Sequence, residues 1–356
     1  MALERQVRCL IAAGGTAGHV LPALAVADEL RSRGVHVTFA GSPDRAEAQL
    51  VPDAGYELDT FRITGLPRRP SLALVSSVLL AGRAPFACAR ILTTRRPDVV
   101  FGGGGYVAAP MVYAAWRKRT PAALAEADAR LGLANRVAAR FARRIFLAYD
   151  LSDRHGAKYR VVGRPIPENA RPLDRAVARA QLGLPADGSV LLIAGALAGA
   201  QALNELAVEA FGAVGPPVLH VTGERDYEAL RRRVSRADYR LIPKLDGLGA
   251  AYGACDLALT RSGGTVWELA AAGLPAILVP YPFATADHQT HNARYFEHGG
   301  GAILVPETEL GVVPELARSL LDDPGRLSLM TERMRALARP DAAQVIAEEL
   351  IALAAA

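Results

Sequence analysis

Short apolar runs alternate with helical patterns along almost the whole chain, and this alternation constrains the fold more than any other feature. In the first part of the chain, strands are predicted at residues 7–12, 35–40, 99–101, 122–125, 145–147 and 159–162. Helical patterns begin between them, near Gly18, Asp44, Ser71, Tyr106 and Ala129. Strands that are apolar throughout are buried on both faces and are joined through helices. The pattern therefore predicts βαβ units and a parallel sheet.

A proline-rich break at residues 163–173 interrupts this alternation, which then starts again. Proline is excluded from helix interiors and central strands, so the break predicts a linker. Beyond it, strands are predicted at 190–194, 218–222, 239–242, 257–260 and 276–279, and helices at 307–356. We therefore predict two Rossmann-like, doubly wound α/β domains, N-terminal (1–163) and C-terminal (164–340), with a last helix (341–356) packing on the first domain. Two such domains facing each other would form a cleft, since open α/β sheets bind ligands at the carboxyl ends of their strands.

Composition excludes several classes of protein. A chain with 51% apolar and 22% charged residues is globular rather than disordered. The net charge of +5 suits an anionic substrate, an anionic membrane surface or a nucleic acid. The three cysteines are far apart and show no metal-ligand spacing, which argues against a disulfide framework or a zinc site and favours a reducing cytoplasm. We find no secretory signal and no apolar run of the ~18 residues that a membrane span needs.

The first predicted strand runs directly into a glycine loop, GGTAGH at residues 14–19. Glycine lets the backbone approach a ligand closely, and the N-terminus of the following helix offers amide groups to an anion such as a pyrophosphate. The same residues would also suit an ordinary strand-to-helix turn. His19 lies in the first helical turn, where the helix dipole favours a neutral imidazole. It is therefore a candidate general base, although a histidine there could also simply cap the turn.

A second glycine run, GGGGY at residues 102–106, also follows a predicted strand and precedes a helix. Two such turns in one domain predict a pair of anion-binding loops at one sheet edge. An acceptor that carries a diphosphate is a natural ligand for this edge.

The segment 261–292 carries a further set of polar candidates. A predicted strand ends in RSGGT (261–265), and Glu268 lies early in the helix that follows. A carboxylate there can accept hydrogen bonds from both hydroxyls of a ribose, or it can simply complement the helix dipole. After the next strand come four polar side chains that suit sugar hydroxyls or solvent: Asp287, His288, Gln289 and Asn292.

Three segments together resemble a known enzyme family. They are GGTAGHVLPALAVADEL (14–30), FGGGGYVAAP (101–110) and RSGGTVWELAAAGLPAILVPYP followed by DHQTHNA (261–293). In order and spacing they are similar to MurG, the peptidoglycan N-acetylglucosaminyltransferases of glycosyltransferase family 28, over about residues 7–305. The resemblance implies the GT-B fold and an inverting hexosyltransferase that needs no metal or other cofactor. It would move GlcNAc from UDP-GlcNAc to the C4 hydroxyl of MurNAc in lipid I, giving lipid II for cell-wall biogenesis, cell shape and cell division.

The resemblance also implies roles for individual residues. His19 would be the general base, and the residues near the donor sugar or the acceptor diphosphate would be Thr16, Ala17, Gly14, Gly15, Gly18, Gly103, Gly104 and Gly105, with Tyr106 as a further candidate. Glu268 would bind the ribose hydroxyls and Gln289 the GlcNAc hydroxyls. The remaining nucleotide contacts would come from Leu245 beside uracil, Gly264, Thr265 and Val266.

On the donor side, the sequence departs from the family pattern at three places. The usual GGSQGA is GALAGA (195–200), so Leu197 and Ala198 replace a serine and a glutamine. The usual HEQN is AEAD (125–128), which puts Asp128 where the family has a donor-binding asparagine. The usual GNPVR is GRPIP (163–167), in which Pro167 replaces an arginine and Arg164 could reach the same space. These changes predict weaker donor binding, with selectivity for UDP retained.

A segment of mixed apolar and basic residues, 65–92, predicts contact with an anionic membrane surface. Its apolar run 72–81 is too short to span a bilayer and is accompanied by Arg68, Arg69, Arg83 and Arg90. Such a segment can lie at an interface, or it can be a buried helix edged by solvated arginines. Given the lipid acceptor that the family implies, we expect a peripheral protein at the cytoplasmic face of the cell (inner) membrane. There it would meet UDP-GlcNAc, lipid I and other peptidoglycan-synthesis proteins.

Other functions stay open on the sequence alone. Another GT-B protein, such as a UDP-GlcNAc 2-epimerase, would use the nucleotide sugar without a lipid acceptor. The three departures would also suit a non-catalytic relative that scaffolds cell-wall enzymes. A nicotinamide dehydrogenase is disfavoured, because neither glycine loop reads GxGxxG followed about 20 residues later by an acidic residue at a strand end. No nucleic-acid partner is expected, because no recognised nucleic-acid-binding motif is present.

Overall fold

The computed structural model describes residues 6–65, 72–195 and 199–356, without the side chains of 72–76 and 78. Five residues named above lie outside the described residues: Arg68, Arg69, Ser71, Leu197 and Ala198. The chain divides into two compact units. Unit 1 comprises the chain up to Pro167 together with Pro340–Ala356, and unit 2 comprises Glu168–Arg339.

Unit 1 contains, among its described residues, a seven-stranded parallel sheet in the order β3-β2-β1-β4-β5-β6-β7. Its strands are β1 (Arg8–Ala13), β2 (His36–Gly41), β3 (Glu57–Thr60), β4 (Val99–Gly104), β5 (Ala122–Glu126), β6 (Arg144–Leu147) and β7 (Tyr159–Val161). The helices between them are α1 (Ala17–Ser32), α2 (Ala46–Asp53), α3 (Leu72–Arg95), α4 (Ala108–Arg117) and α5 (Leu133–Ala138). This is the doubly wound arrangement that the alternation predicted.

Unit 2 contains, over the part of it that is described, a six-stranded parallel sheet in the order β10-β9-β8-β11-β12-β13. Its strands are β8 (Leu191–Ala194), β9 (Val218–Val221), β10 (Tyr239–Ile242), β11 (Leu257–Thr260), β12 (Ala276–Leu278) and β13 (Ala302–Leu304). Its α-helices are α6 (Arg175–Leu182), α7 (Gln201–Phe211), α8 (Glu224–Arg231), α9 (Gly249–Ala254), α10 (Thr265–Ala272), α11 (His288–His298), α12 (Val313–Leu321) and α13 (Pro324–Leu337). Short 3-10 helices cover Glu168–Ala170, Thr285–Asp287 and Glu307–Val312.

The last helix, α14 (Ala342–Ala355), returns to unit 1 and packs against α1 and β4. Its apolar side chains join the core that β1, β2 and α1 form, and those that are buried are Ala343, Ile346, Ala347 and Leu350. On its outer side, Glu349 pairs with Arg144 at 3.0 Å and with Arg160. The end of the chain is therefore a structural part of the unit in which the chain begins.

The edge strands β3 and β13 were not predicted, and helix α5 begins later than expected. β3 has the sequence ELDT, whose charged side chains hide a strand signal; Glu57 and Asp59 bind Arg95 on α3 at 2.6 and 2.7 Å. β13 has only three residues. α5 begins at Leu133 rather than near Ala129, because the preceding loop is bonded to a buried carboxylate described below.

Both sheets have a topological switch point, where the chain reverses the direction in which it adds strands. In unit 1 this point lies between β1 and β4, and in unit 2 it lies between β8 and β11. Open α/β sheets bind ligands outside the carboxyl ends of the strands at such points. All the glycine loops singled out above follow these four strands.

Candidate active site

The first glycine loop leads into the N-terminus of α1, and the side chain of the residue at this helix start does not cap the helix. Thr16 is the N-cap residue, but its hydroxyl makes no capping hydrogen bond to the backbone. Instead, Thr16 Oγ1 lies 3.2 Å from Nδ1 of the half-buried His19. A neutral imidazole that donates from Nδ1 to this oxygen has its basic lone pair on Nε2. The geometry thus suits a base whose ring is held by a neighbouring hydroxyl.

The second glycine loop lies directly against the first. Gly14 N–H points to the carbonyl of Gly104 at 3.4 Å, and a Cβ on Gly105 would lie 2.1 Å from the Gly14 carbonyl oxygen. A Cβ on Gly104 would lie 2.6 Å from Cδ2 of His19. Both glycines have positive φ, +118° and +76°, so this close approach needs residues without a side chain. The structure therefore brings the two predicted loops together around His19.

Glu47, which no motif indicated, lies beneath the first loop. Its carboxylate is fully buried on α2 and accepts hydrogen bonds from Gly15 N–H at 2.9 Å and Ser42 N–H at 2.8 Å. A Cβ on Gly14 or Gly41 would overlap this side chain at 2.1 and 2.6 Å. The amides of Gly14 and Gly15 are therefore used within the protein. The backbone donors left at this end of α1 are the amides of Ala17 and Gly18, because those of His19 and Val20 already donate to the Thr16 carbonyl at 3.0 and 3.3 Å.

Tyr106 covers the other side of the loop. Its ring lies against Gly15, where a Cβ would come within 3.0 Å of Cε1, and against Gly65. Its hydroxyl is buried, and no described residue forms a hydrogen bond with it. Gly103 packs against Ala13 and Ala23 in the core of unit 1. Of the second loop, it is thus Gly104, Gly105 and Tyr106 that face the first loop.

Arg164 and Glu126 line a small pocket next to α1. Arg164 is 8% exposed, and its guanidinium donates to the carbonyl of Gly18. Glu126 is buried, and its carboxylate accepts from the amides of Asp128 at 3.2 Å and Gly132 at 2.9 Å and from the Asn135 side chain at 2.9 Å. Burial raises the pKa of the Glu126 carboxyl above its usual value. Glu126 thus fixes the loop that carries the half-buried Asp128.

In unit 2, the turn after β11 is built against the start of α11. Ser262 Oγ donates to the carbonyl of Gln289 at 2.8 Å, and Asn292 Nδ2 donates to the carbonyl of Ser262 at 3.2 Å. The Gln289 side chain accepts from Tyr281 N–H at 2.9 Å through Oε1, and its Nε2 lies 4.0 Å from where a Cβ on Gly263 would be. The turn and Gln289, predicted from separate segments, are therefore neighbours, while Asn292 is buried as a support.

The other polar side chains of this segment form hydrogen bonds with residues of the same loop, 285–290. His288 Nδ1 lies 2.8 Å from the Thr285 carbonyl, and Thr290 donates to Asp287 at 2.6 Å. Ala286 and Asp287 both have positive φ, 53° and 54°, which is uncommon for residues other than glycine. Of the predicted cluster, Gln289 and the buried Asn292 are thus the residues whose side chains lie against the turn after β11.

Helix α10 carries the remaining candidates of unit 2. Glu268 is half-buried in its first turn, and the hydroxyl of Tyr252 on α9 donates to Glu268 Oε2 at 2.7 Å. Val266 is fully buried and its amide donates to the Gly263 carbonyl at 3.3 Å, so its contribution is to the turn itself. Gly264 and Thr265 begin the helix and are half-buried. Leu245 lies half-buried in the loop after β10.

Two protein-family models match the chain: the glycosyltransferase family 28 N-terminal domain over residues 9–147 and the corresponding C-terminal domain over residues 190–346. A Salinibacter ruber protein, named as a UDP-N-acetylglucosamine--N-acetylmuramyl-(pentapeptide) pyrophosphoryl-undecaprenol N-acetylglucosamine transferase, is 41% identical, with 98% of both chains covered. A protein of the same name from Acidithiobacillus ferrooxidans is 42% identical, with 96% of both chains covered.

The crystal structure of Acinetobacter baumannii MurG shares the fold, with a TM-score of 0.78 at 28% identity over 98% of this chain and 99% of that one. The expected GT-B fold is thereby confirmed. With both domain models matched in order and with relatives above 40% identity along nearly the full length, the chain belongs to glycosyltransferase family 28.

Proposed function

We propose that this protein transfers GlcNAc from UDP-GlcNAc to the C4 hydroxyl of MurNAc in lipid I and so forms lipid II for peptidoglycan. The observation that carries the proposal is the meeting of two glycine loops around His19 at the switch point of unit 1. The names of relatives with 34–42% identity over at least 94% of the chain support the same substrates. They do not favour an epimerase or a scaffold.

On the acceptor side, the N-terminus of α1 would bind the diphosphate of the lipid. The amides of Ala17 and Gly18 lack acceptors within the helix, and the helix dipole favours negative charge there. Because Glu47 and Gly104 already occupy the amides of Gly15 and Gly14, the anion would be held by the turn that begins at Thr16. The acceptor hydroxyl would then lie within reach of His19.

The transfer would be a single displacement. The C4 oxygen of MurNAc attacks C1 of the donor sugar while the bond from C1 to the diphosphate oxygen breaks, which inverts the configuration at C1. His19 accepts the hydroxyl proton, and UDP leaves with the electron pair. The N-terminus of α10 would stabilise the charge on the departing diphosphate, and Glu268 and Gln289 would hold the ribose and the GlcNAc hydroxyls.

A direct assay tests the proposal. The protein is incubated with UDP-GlcNAc, with and without a short-chain lipid I analogue, and the products are identified by mass spectrometry. We expect a disaccharide product and UDP only when the analogue is present. Isomerised UDP-GlcNAc without the analogue would favour an epimerase, and no turnover under either condition would favour a scaffold.

The donor-side departures also lead to a test. Asp128 places a carboxylate in a loop where the family pattern has the neutral amide of an asparagine. This carboxylate would repel the donor diphosphate unless Arg164 offsets its charge. A missing neutral hydrogen bond costs about 0.5–1.5 kcal/mol. We expect Asp128→Asn, and separately Leu197→Ser with Ala198→Gln, to lower the donor KM several-fold. An unchanged KM in both folded variants would mean that backbone amides carry this site.

We further propose that α3 docks unit 1 on an anionic membrane. Leu79 and Phe86 are 59% and 75% exposed. Together with the exposed Arg83 and Arg90 they recur at helical spacing on one face. The opposite face is buried and carries Ala84, Cys88 and Leu92. No helix in the described part of the chain has the length and apolarity to cross a bilayer. An apolar and basic helix face suits an interface instead.

Liposome co-sedimentation tests this docking. Binding should rise with the fraction of anionic lipid and fall at high salt, because the screening length shortens to ~3 Å at 1 M. Phe86→Ser and Arg83→Ser with Arg90→Ser should each weaken it. Arg231→Ser with Arg232→Ser, an equal change of charge at the C-terminal end of α8, is the matched control. The proposal would be excluded if binding were unaffected by the lipid charge and by both α3 variants.

A further inference from the structure

Tyr252 is a buried polar side chain that the reaction described above does not use. It lies on α9 and is 4% exposed, and its hydroxyl donates to Oε2 of Glu268 at 2.7 Å. Burial and the neighbouring Glu268 charge raise the pKa of the phenol well above its usual value. Tyr252 therefore keeps its proton and acts as the donor in this hydrogen bond.

A hydrogen bond from a rigid, buried ring restricts a carboxylate in a specific way. The terminal torsion of glutamate is soft, so a half-buried Glu268 without a partner would sample many orientations of its carboxylate plane. A carboxylate has about four acceptor sites on its two oxygens. The Tyr252 hydroxyl occupies one of these sites, on Oε2, and thereby fixes the plane in which the carboxylate accepts its other hydrogen bonds. The two adjacent hydroxyls of a ribose, which Glu268 would bind in the proposed function, need a carboxylate held in one such plane.

We propose that Tyr252 is a positioning residue for nucleotide recognition: it holds the carboxylate of Glu268 in the plane that receives the 2′- and 3′-hydroxyls of a ribose. The inference rests on the proposed function, because it takes the nucleotide at α10 to be UDP. It goes beyond that function in making ribose discrimination depend on a side chain that does not touch the ligand.

Isothermal titration calorimetry with UDP and 2′-deoxy-UDP tests the inference on the full chain. In Tyr252→Phe, the Kd for UDP should rise about three- to tenfold, since one positioning hydrogen bond is lost. The Kd for 2′-deoxy-UDP should rise less, so that the preference for the ribonucleotide shrinks. If Tyr252 only stabilised the fold, its loss would weaken the binding of both ligands equally. Tyr239→Phe is the matched control: it also removes a buried hydroxyl from unit 2, one bonded to His220 at 2.8 Å, and should leave the preference unchanged.

A second pair of variants identifies Glu268 as the intermediary. Glu268→Ala should abolish most of the preference for UDP over 2′-deoxy-UDP, and adding Tyr252→Phe to it should change the preference no further. A wild-type preference in Tyr252→Phe, or additive losses in the double variant, would overturn the inference while leaving the proposed function intact. Failure of the wild-type protein to bind UDP would instead overturn the proposed function and the inference with it.

Discussion

Single residues at the first glycine loop have two kinds of task. His19 faces the two loops and can exchange a proton, whereas Glu47 lies beneath the loop and holds its backbone. Glu47 also explains why Gly14 and Gly41 carry no side chain, since a Cβ on either would overlap its carboxylate. The loop is thus shaped by a buried side chain that lies beneath it.

At this scale, His19→Ala should lower turnover about 10²–10⁴-fold, the usual effect of losing a general base. UDP affinity should stay nearly unchanged, because the nucleotide candidates lie in unit 2. Product formation by mass spectrometry and UDP calorimetry measure the two quantities. His36→Ala, at the exposed start of β2, is the control. Turnover within a few-fold of the wild type would remove His19 from the proposed role.

Glu47→Gln should destabilise the protein by about 1–3 kcal/mol, the penalty for leaving a buried hydrogen-bonding group unsatisfied. The carboxylate accepts two backbone N–H groups, whereas an amide has one accepting oxygen and would present its own N–H₂ to the other donor. Urea denaturation measures the effect. Glu348→Gln, on an exposed face of α14, should change stability little. Equal stability of the two variants would contradict the structural role of Glu47.

Among the secondary-structure elements of unit 2, a buried hydrogen-bond network ties β9 to α7 and β10. His220 is fully buried, with Nδ1 at 2.8 Å from the Tyr239 hydroxyl and Nε2 at 3.0 Å from Asn204 Oδ1. Asn204 then donates to the Thr222 carbonyl and to Asp226, both at 2.9 Å. Burial lowers the pKa of His220 to about 3. The ring is therefore neutral in the folded state.

This network predicts a loss of stability in mild acid. An unfolded histidine binds a proton below pH ~6.5, whereas folded His220 stays neutral down to a pKa of about 3. The unfolded state thus gains protons first, and stability falls by up to ~1.4 kcal/mol per pH unit between these values. Between pH 7 and pH 5, the free energy of unfolding of His220→Gln should fall by about 2 kcal/mol less than that of the wild type. Urea denaturation at both pH values measures this, and parallel losses would contradict it.

At the scale of the whole molecule, each unit has a core of its own, and the chain ends in the unit where it began. The core of unit 1 contains four buried side chains of α14, and that of unit 2 is built from β8 to α13. Of the two tryptophans in the sequence, Trp116 belongs to unit 1 and the buried Trp267 to unit 2. The tryptophans can therefore report on the two units separately.

Ile346→Ala in α14 should lower the stability of unit 1 by about 2–5 kcal/mol, as expected for a large core side chain that is truncated. In a Trp267→Phe background, the unfolding transition measured by Trp116 fluorescence should therefore shift toward lower stability. UDP affinity in unit 2 should persist. Ile351→Ala, at a half-buried position of the same helix, should have a smaller effect. Equal shifts from the two variants would show that α14 does not complete the core of unit 1.

The two parallel sheets and the places of the glycine loops could be predicted from the amino-acid pattern alone. Buried parallel strands are apolar throughout, and the glycine turns follow them directly along the chain, so both features are local patterns. The edge strands β3 and β13 were not predictable in this way. In β3 the charged residues Glu57 and Asp59 interrupt the apolar pattern, and β13 has only three residues, so neither strand forms an apolar run long enough to be recognised.

The tertiary structure decided which side chains support the site, because those contacts join residues far apart in the sequence. Glu47 reaches Gly15 across 32 positions and Arg164 reaches Gly18 across 146. Tyr252 meets Glu268 only because α9 and α10 pack together. A buried carboxylate or phenol leaves no periodic pattern in the sequence from which its contacts could be predicted. Its role follows from the donor or acceptor that folding brings beside it, since a buried polar group must be hydrogen-bonded there.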